Sequence, residues 1–408
     1  MTNCTNRSGW KQVILRDICE RVDYGYTTSA KKEPVGPKFL RITDIVPDLI
    51  DWSSVPYCEI GDKDMDKYRL GIGDIVIART GATTGYAKWI KESHNSVFAS
   101  YLVRIRINKD YDHRYAGLVV ESNEYKRFIK TNLGGAAQPQ ANAQVLTSFP
   151  LLVPPLPIQR KIAAILSAYD DLIENNMRRI KILEEMAQTL YREWFVKFRF
   201  PRHDRVGIVE SDLGMIPEGW GVKRLGDVCN ILMGQSPKSE FYNDNGEGLP
   251  FHQGVTDFGE LFPTDRMYCT VQNRVAEAGD ILFSVRAPVG RINIANKKIV
   301  IGRGLCAIRS KSGKQAFVFQ QLKEQFKEED TMGGGTIFKS VTKDDMNGIK
   351  FLVPPEELLK SFEEIMTPIF TELKNLTIKN VNLHRTRDLL LPKLVSGEVH
   401  VEDIEVRE

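Results

Sequence analysis

The sequence predicts a mixed α/β (α+β) protein. Two globular domains are joined by two long helices that form an antiparallel coiled coil, with a pseudo-two-fold internal repeat. Three observations carry this reading: the chain is written twice, each copy ends at a Pro-Pro pair followed by a helical seam, and short β-rich runs fill each copy. Its 408 residues also exceed what one hydrophobic core usually organises.

The repeat is explicit. Trp10-x4-Leu15-x-Asp17-Ile18-Cys19 returns as Trp220-x4-Leu225-x-Asp227-Val228-Cys229, and Gly73-Asp74-Ile75-Val76 returns as Gly279-Asp280-Ile281-Leu282. Gly134-Gly135 recurs as Gly334-Gly335, and Leu152-Val153-Pro154-Pro155 as Leu352-Val353-Pro354-Pro355. The offset drifts from 210 to 200, as net small loop deletions in the second copy would produce. Within each copy, Asp74–Ala78, Tyr101–Ile107, Asp280–Val285 and Lys298–Ile301 read as strands between Gly, Pro and Asn punctuation. Each Gly-Asp pair is read as a structural turn into a buried strand, being a weak match to a phosphate cradle.

The prolines suit the start of a helix better than its interior. After the first pair, Ile162, Leu166, Tyr169, Ile173, Asn176, Ile180, Leu183, Ala187, Leu190 and Trp194 keep a strict 4-3 spacing. The second copy supplies Phe362, Met366, Ile369, Leu373, Leu376, Asn380, Leu383, Arg387, Leu390 and Leu394. Such a seam predicts a coiled coil. Laid antiparallel, 162 meets 394, 194 meets 362, and Asn176 faces Asn380. In the parallel register each asparagine would face an apolar residue, and an unpartnered buried amide costs about 1–3 kcal/mol. Pro368 is expected to kink or interrupt the second helix. From Ile162 to Trp194 the rod would run about 48 Å, a ruler between the two domains.

These features divide the chain into a globular domain at 1–153, a spacer helix at 154–199 and a linker at 200–219. A second globular domain follows at 220–353, then a second spacer helix at 354–400 and a tail at 401–408.

Composition narrows the function. Hydrophobic residues make up 42% and charged residues 27%, which argues against disorder, and no apolar run reaches the ~20 residues of a membrane span. No apolar leader follows the N-terminus, and six scattered cysteines fit reduced thiols in the cytoplasm. The net charge of +3 is uninformative, but its distribution is not. Ile281 to Lys323 holds nine basic residues and no acidic one; Ile75 to Lys109 holds six against Glu92 alone. Two such stretches in matching positions suit a polyanion, double-stranded DNA in particular. A basic outward sheet face remains the structural alternative.

Candidate DNA contacts in the first copy are Arg79, Thr80, Thr83, Thr84, Lys88 and Arg104, with Gln138, Gln140 and Asn142 on a polar loop. In the second they are Arg286, Arg291, Lys297, Lys298, Arg303 and Lys339. Lysines and arginines would mostly grip phosphates, while amides, hydroxyls and a few arginines would read base edges.

Catalytic patterns are missing. There is no G-x4-GK[ST] loop, and the histidines show no metal-ligand spacing. Neither Pro-Pro pair has the flanking residues with which an amino-methyltransferase grips an extruded base. Glu124 and Lys126 superficially resemble part of a nuclease set, but the nearest upstream Pro-Asp is too distant, so they are read as a solvated helix face. No catalytic residue, metal site or cofactor is assigned.

Ile216-Pro-Glu-Gly-Trp220 running into Lys223-Arg-Leu-Gly-Asp-Val228, and Pro154-Pro-Leu-Pro-Ile-Gln-Arg-Lys-Ile162 opening a long helix, resemble the specificity (S) subunit of type I restriction–modification systems. The second copy departs from that pattern, with Glu356-Glu357-Leu358 where a Gln is usual. The resemblance implies a non-catalytic reader whose two target-recognition domains recognise a bipartite sequence and whose helices set the spacer. It implies docking to two methyltransferase (M) subunits, which use S-adenosylmethionine to methylate adenine N6. Restriction (R) subunits would join them and cleave DNA with ATP and Mg2+, in phage defence. The alternatives are a self-contained nuclease or methyltransferase with diverged motifs, or a scaffold without DNA contact.

Overall fold

A computed structural model describes residues 9–133, 140–326, 331–332, 336–337 and 340–401. The chain divides into two compact units, one of residues up to 178 with those from 377 onward, the other Arg179–Leu376.

In the first unit an antiparallel sheet runs in the order Cys19–Tyr24, Leu102–Ile107, Ile75–Ala78, Ala87–Trp89. The Ile75–Ala78 strand is apolar at every position because both its faces are covered. Ile75 and Ile77 enter one core while Val76 and Ala78 enter another. A parallel pair, Lys38–Leu40 with Ser96–Phe98, lies outside this sheet, and Lys11–Ile14 pairs with Pro150–Val153. The second unit repeats the plan with Cys229–Met233, Leu305–Ser310, Ile281–Ser284 and Ile292–Ile294. Ile281 and Phe283 again face one core and Leu282 another.

The Gly-Asp pair makes the same turn in both units. Gly73 and Gly279 each have φ +91°, where a side chain would be strained. Asp74 accepts from Gly71 N at 2.9 Å and Arg106 Nε at 2.7 Å; Asp280 accepts from Glu277 N at 2.8 Å and Arg309 Nε at 2.6 Å.

The long helices run Leu156–Tyr191 and Glu356–Val395. In the first unit Ile162 and Leu166 share a core with Leu390 and Leu394, and Asn176 Nδ2 donates to Asn380 Oδ1 at 2.8 Å. In the second, Ile180, Ala187 and Tyr191 share a core with Phe362, Met366, Leu373 and Leu376, and the Trp194 and Phe362 rings lie 5.9 Å apart. The helices are therefore antiparallel. Arg387, a charged seam position, is accommodated by Asp170 at 2.6 Å.

The anchoring of these helices differs between copies. Buried Gln159 accepts from Asp112 N at 2.9 Å and donates to Pro154 O at 2.8 Å. Its counterpart by repeat is Leu359, buried in the apolar core. Glu363, one turn on, takes over the polar tie, accepting from Phe317 N at 2.8 Å and Ala316 N at 3.4 Å. These are the first amides of the Gln315–Gln325 helix, which a carboxylate suits.

Three expectations are corrected. Pro368 does not interrupt the second helix: it lies on the exposed face, so the carbonyl it leaves free can turn to water. The stretch 200–219 is not a bare linker. It holds an antiparallel hairpin, Ile208–Ser211 with Gly214–Pro217, and Phe200 packs 5.3 Å from Trp220. Glu124 is exposed, but Lys126 is half-buried over the Tyr86 ring at 4.8 Å, and burial lowers its pKa.

Candidate nucleic-acid interface

Both sheets end in the same backbone frame. In the first unit Arg79 N donates to Tyr101 O at 3.0 Å, Ala141 N donates to Arg79 O at 2.8 Å, and Thr80 bridges Gln140. In the second, Val285 N donates to Gly304 O at 2.9 Å, Val341 N donates to Val285 O at 2.8 Å, and Arg286 bridges Ser340. The frame thus displays Arg79, Thr80, Tyr101 and Gln140 in one copy, and Val285, Arg286, Gly304 and Ser340 in the other.

On the first frame the Arg79 guanidinium lies 4.8 Å from the Tyr24 ring, whose hydroxyl accepts from Ala143 N at 3.0 Å. Tyr24 and Tyr101 are both exposed. Exposed tyrosines beside an arginine offer stacking and donor forks together. On the second frame Arg286 and Arg303 are exposed. Gln253 O accepts from Gly304 N at 3.1 Å, which adds an exposed amide to the cluster. Sequence reasoning missed Tyr24, Tyr101 and Gln253, since none lies in a repeated motif. Aligning the repeats through strand register would have flagged Tyr24, which stands where the second copy has Met233.

Most of the basic stretches are spent internally. Arg104 is fully buried, donating to Asp23 at 2.6 Å, Arg69 O at 2.7 Å and Lys67 O at 3.0 Å; it is a core residue and not a DNA contact. Lys88 is also withdrawn, donating to Asp48 O at 2.8 Å with Glu121 at 3.6 Å. Thr84 is buried and its hydroxyl donates to Gly81 O at 2.7 Å. The Asn142 side-chain oxygen caps the Ala143–Thr147 helix by accepting from Val145 N at 2.8 Å, which gives this residue a structural role. Lys297 and Lys298 are exposed but pair with Asp265 at 2.6 Å and Glu277 at 3.3 Å. Arg291 is exposed and Thr83 half-buried. Gln138 and Lys339 lie outside the described residues.

Among the described residues no three His, Cys, Asp or Glu side chains are grouped to hold a metal, and no helix is long and apolar enough to cross a membrane. Burial pushes the equivalent thiols of Cys19 and Cys229 up to about 12, which leaves them inert.

The family model for the type I restriction modification DNA specificity domain matches residues 7–185 and again 217–383, one match per repeat. The chain belongs to this family. A relative from Methanocaldococcus jannaschii whose name assigns it to the specificity subunit of type I restriction enzyme MjaX is 32% identical over 96% of this chain and 94% of its own length. The type I restriction enzyme HindI specificity subunit of Haemophilus influenzae is 24% identical, over 96% and 100%. The crystal structure of a type I restriction–modification S subunit from M. genitalium has the same fold, with a TM-score of 0.58 at 16% identity over 97% and 98% of the two chains. The protein is thus a type I specificity subunit, a DNA-recognition component and not a catalytic one. The self-contained enzyme finds no support in these relatives.

Proposed function

We propose that the two end frames are the base-reading faces of a bipartite target, one half-site per domain. The observation that carries this is the equivalent backbone geometry at Arg79/Thr80 and Val285/Arg286, bearing different side chains. A shared frame fixes the approach to DNA, and different donors and acceptors select different bases. The reading faces are Tyr24, Arg79, Thr80, Tyr101 and Gln140 in the first domain, and Gln253, Arg286 and Arg303 in the second. Lys297 and Lys298, exposed though paired with Asp265 and Glu277, exchange those carboxylates for phosphates, alongside exposed Arg291.

The recognition domains correspond to 1–153 and 220–353, and the spacers to 154–199 and 354–400. The spacer helices set the distance between half-sites and dock two M subunits. Exposed Leu172, Ile378 and Val381 in the first unit and Ile182, Met186 and Ile365 in the second offer apolar contact for such partners. S-adenosylmethionine belongs to the M subunits, ATP and Mg2+ to R subunits that join through them, and the assembly works in the cytoplasm.

Inserting one heptad into the first helix, with a compensating heptad in the second, tests the arrangement. The M-containing complex should then methylate a motif with unchanged bases and a changed spacer. An unchanged spacer would remove the ruler, and a salt-insensitive DNA affinity would remove the phosphate contacts.

A further inference from the structure

Resting on that reading, we propose that Ser236, Gln253 and Arg303 form a donor-rich site for the acceptor edge of a guanine in the second half-site. The Ser236 hydroxyl accepts from Arg303 N at 3.2 Å, so its single proton is free to go elsewhere, and it donates to Gln253 Oε1 at 2.9 Å. One lone pair of the amide oxygen is thereby engaged and the amide is oriented, with Nε2–H2 as its donor end.

The backbone around the three residues is closely packed and admits only glycine at two positions. A Cβ at Gly234 would lie 2.2 Å from Gly302 O, and one at Gly304 would lie 2.5 Å from Gln253 O. Beneath them His252 is fully buried, with Nε2 3.2 Å from Asp265 Oδ1, and its carbonyl accepts from Gly302 N at 2.9 Å. Gly304 also links the cluster to the reading frame through Val285 N.

An unlocked glutamine reads adenine by donating to N7 and accepting from N6. With one lone pair engaged and the amide oriented by Ser236, the second half of that exchange is weakened. A guanine edge, with acceptors at O6 and N7, accepts donors from both Gln253 and Arg303. Among its described residues the first domain has no such site. The matching position by strand register is Arg41, whose guanidinium is held by Asp44 at 2.8 and 3.0 Å.

The test is the methylation motif made by the full chain with its methyltransferase partner on a randomised DNA library. The wild-type second half-site should contain a G·C pair. Ser236→Ala should cut the preference for guanine over adenine there by about 5- to 150-fold, leaving the first half-site unchanged, while Ser236→Thr keeps the wild-type motif. If Ser236→Ala yields no active complex, Gln253→Glu decides, since a carboxylate should exchange guanine for a base that offers a donor. A second half-site without a G·C pair, or an undiminished guanine preference in Ser236→Ala (or in Gln253→Glu where Ser236→Ala is inactive), overturns the proposal. If Arg286→Ala alters the second half-site in the same assay while Ser236→Ala does not, the donor lock fails and the base-reading face stands. If neither alters it, the base-reading face fails too.

Discussion

The centre of the first domain's sheet holds a buried arginine where the second domain has an alanine. Arg104 pairs with Val76 across the strands, and Ala307 pairs with Leu282 at the same register. Arg104 gathers Asp23 and two carbonyls, a charged network with no counterpart in the second domain, whose sheet is closed by apolar contact at that point. Both domains keep the outer Asp–Arg pair, Asp74 with Arg106 and Asp280 with Arg309. The same frame can therefore be held by an ion network or by packing, and a run of basic residues in sequence is no measure of basic surface.

The largest expected effect exploits that difference. Arg104→Ala would leave Asp23 with Arg21 alone and the Lys67 carbonyl without its donor, and should destabilise the first domain by about 3 kcal/mol. Thermal melts should show one domain affected and the other not. Acid should sharpen the contrast. Burial works against ionisation of Asp23, but hydrogen bonds from Arg104 and Arg21 outweigh it and hold the carboxyl below its ordinary 3.8. A depressed value means that the pair's stabilisation is complete above that ordinary value and is lost as pH falls through the folded one. The gap between wild type and Arg104→Ala should therefore narrow below about pH 4.

A smaller effect is expected at the helix seam. Asn176→Ala leaves Asn380 without its amide partner and should cost about 1–3 kcal/mol, whereas replacing both by leucine should be nearly neutral in stability. A double-mutant cycle read by denaturant midpoints separates these, and additive losses would show that the two amides do not interact. Smallest is Lys298→Ala, which breaks an exposed pair and should change stability by less than about 1 kcal/mol. If Lys298 grips a phosphate, the same change should lower the salt slope of DNA affinity by about one.

The architecture was legible in the sequence because duplication writes each signal twice. The Gly-Asp turns, the Pro-Pro helix starts and the 4-3 seam all reappear in the structure, down to the Asn176–Asn380 contact. What escaped were properties set by tertiary neighbours. Nothing in the run Leu102–Ile107 distinguishes Arg104 from a surface arginine, because its partner Asp23 lies in another strand. Asn142 looked like a reader because a polar loop residue and a helix cap share one composition. Gln253 and Ser236 are joined by a contact across seventeen residues of unrepeated sequence, so no spacing rule could pair them. The missing glutamine after the second Pro-Pro pair has its polar tie supplied instead by Glu363.

The central claim is that one backbone frame carries two unlike readers. It is tested most directly by determining the methylated motif for Arg79→Ala and Arg286→Ala separately, each in the complex with its methyltransferase partner. The account predicts that Arg79→Ala relaxes only the first half-site and Arg286→Ala only the second, by about 5- to 150-fold at one base pair. Loss of preference in both half-sites from either change, or in neither from both, would contradict it.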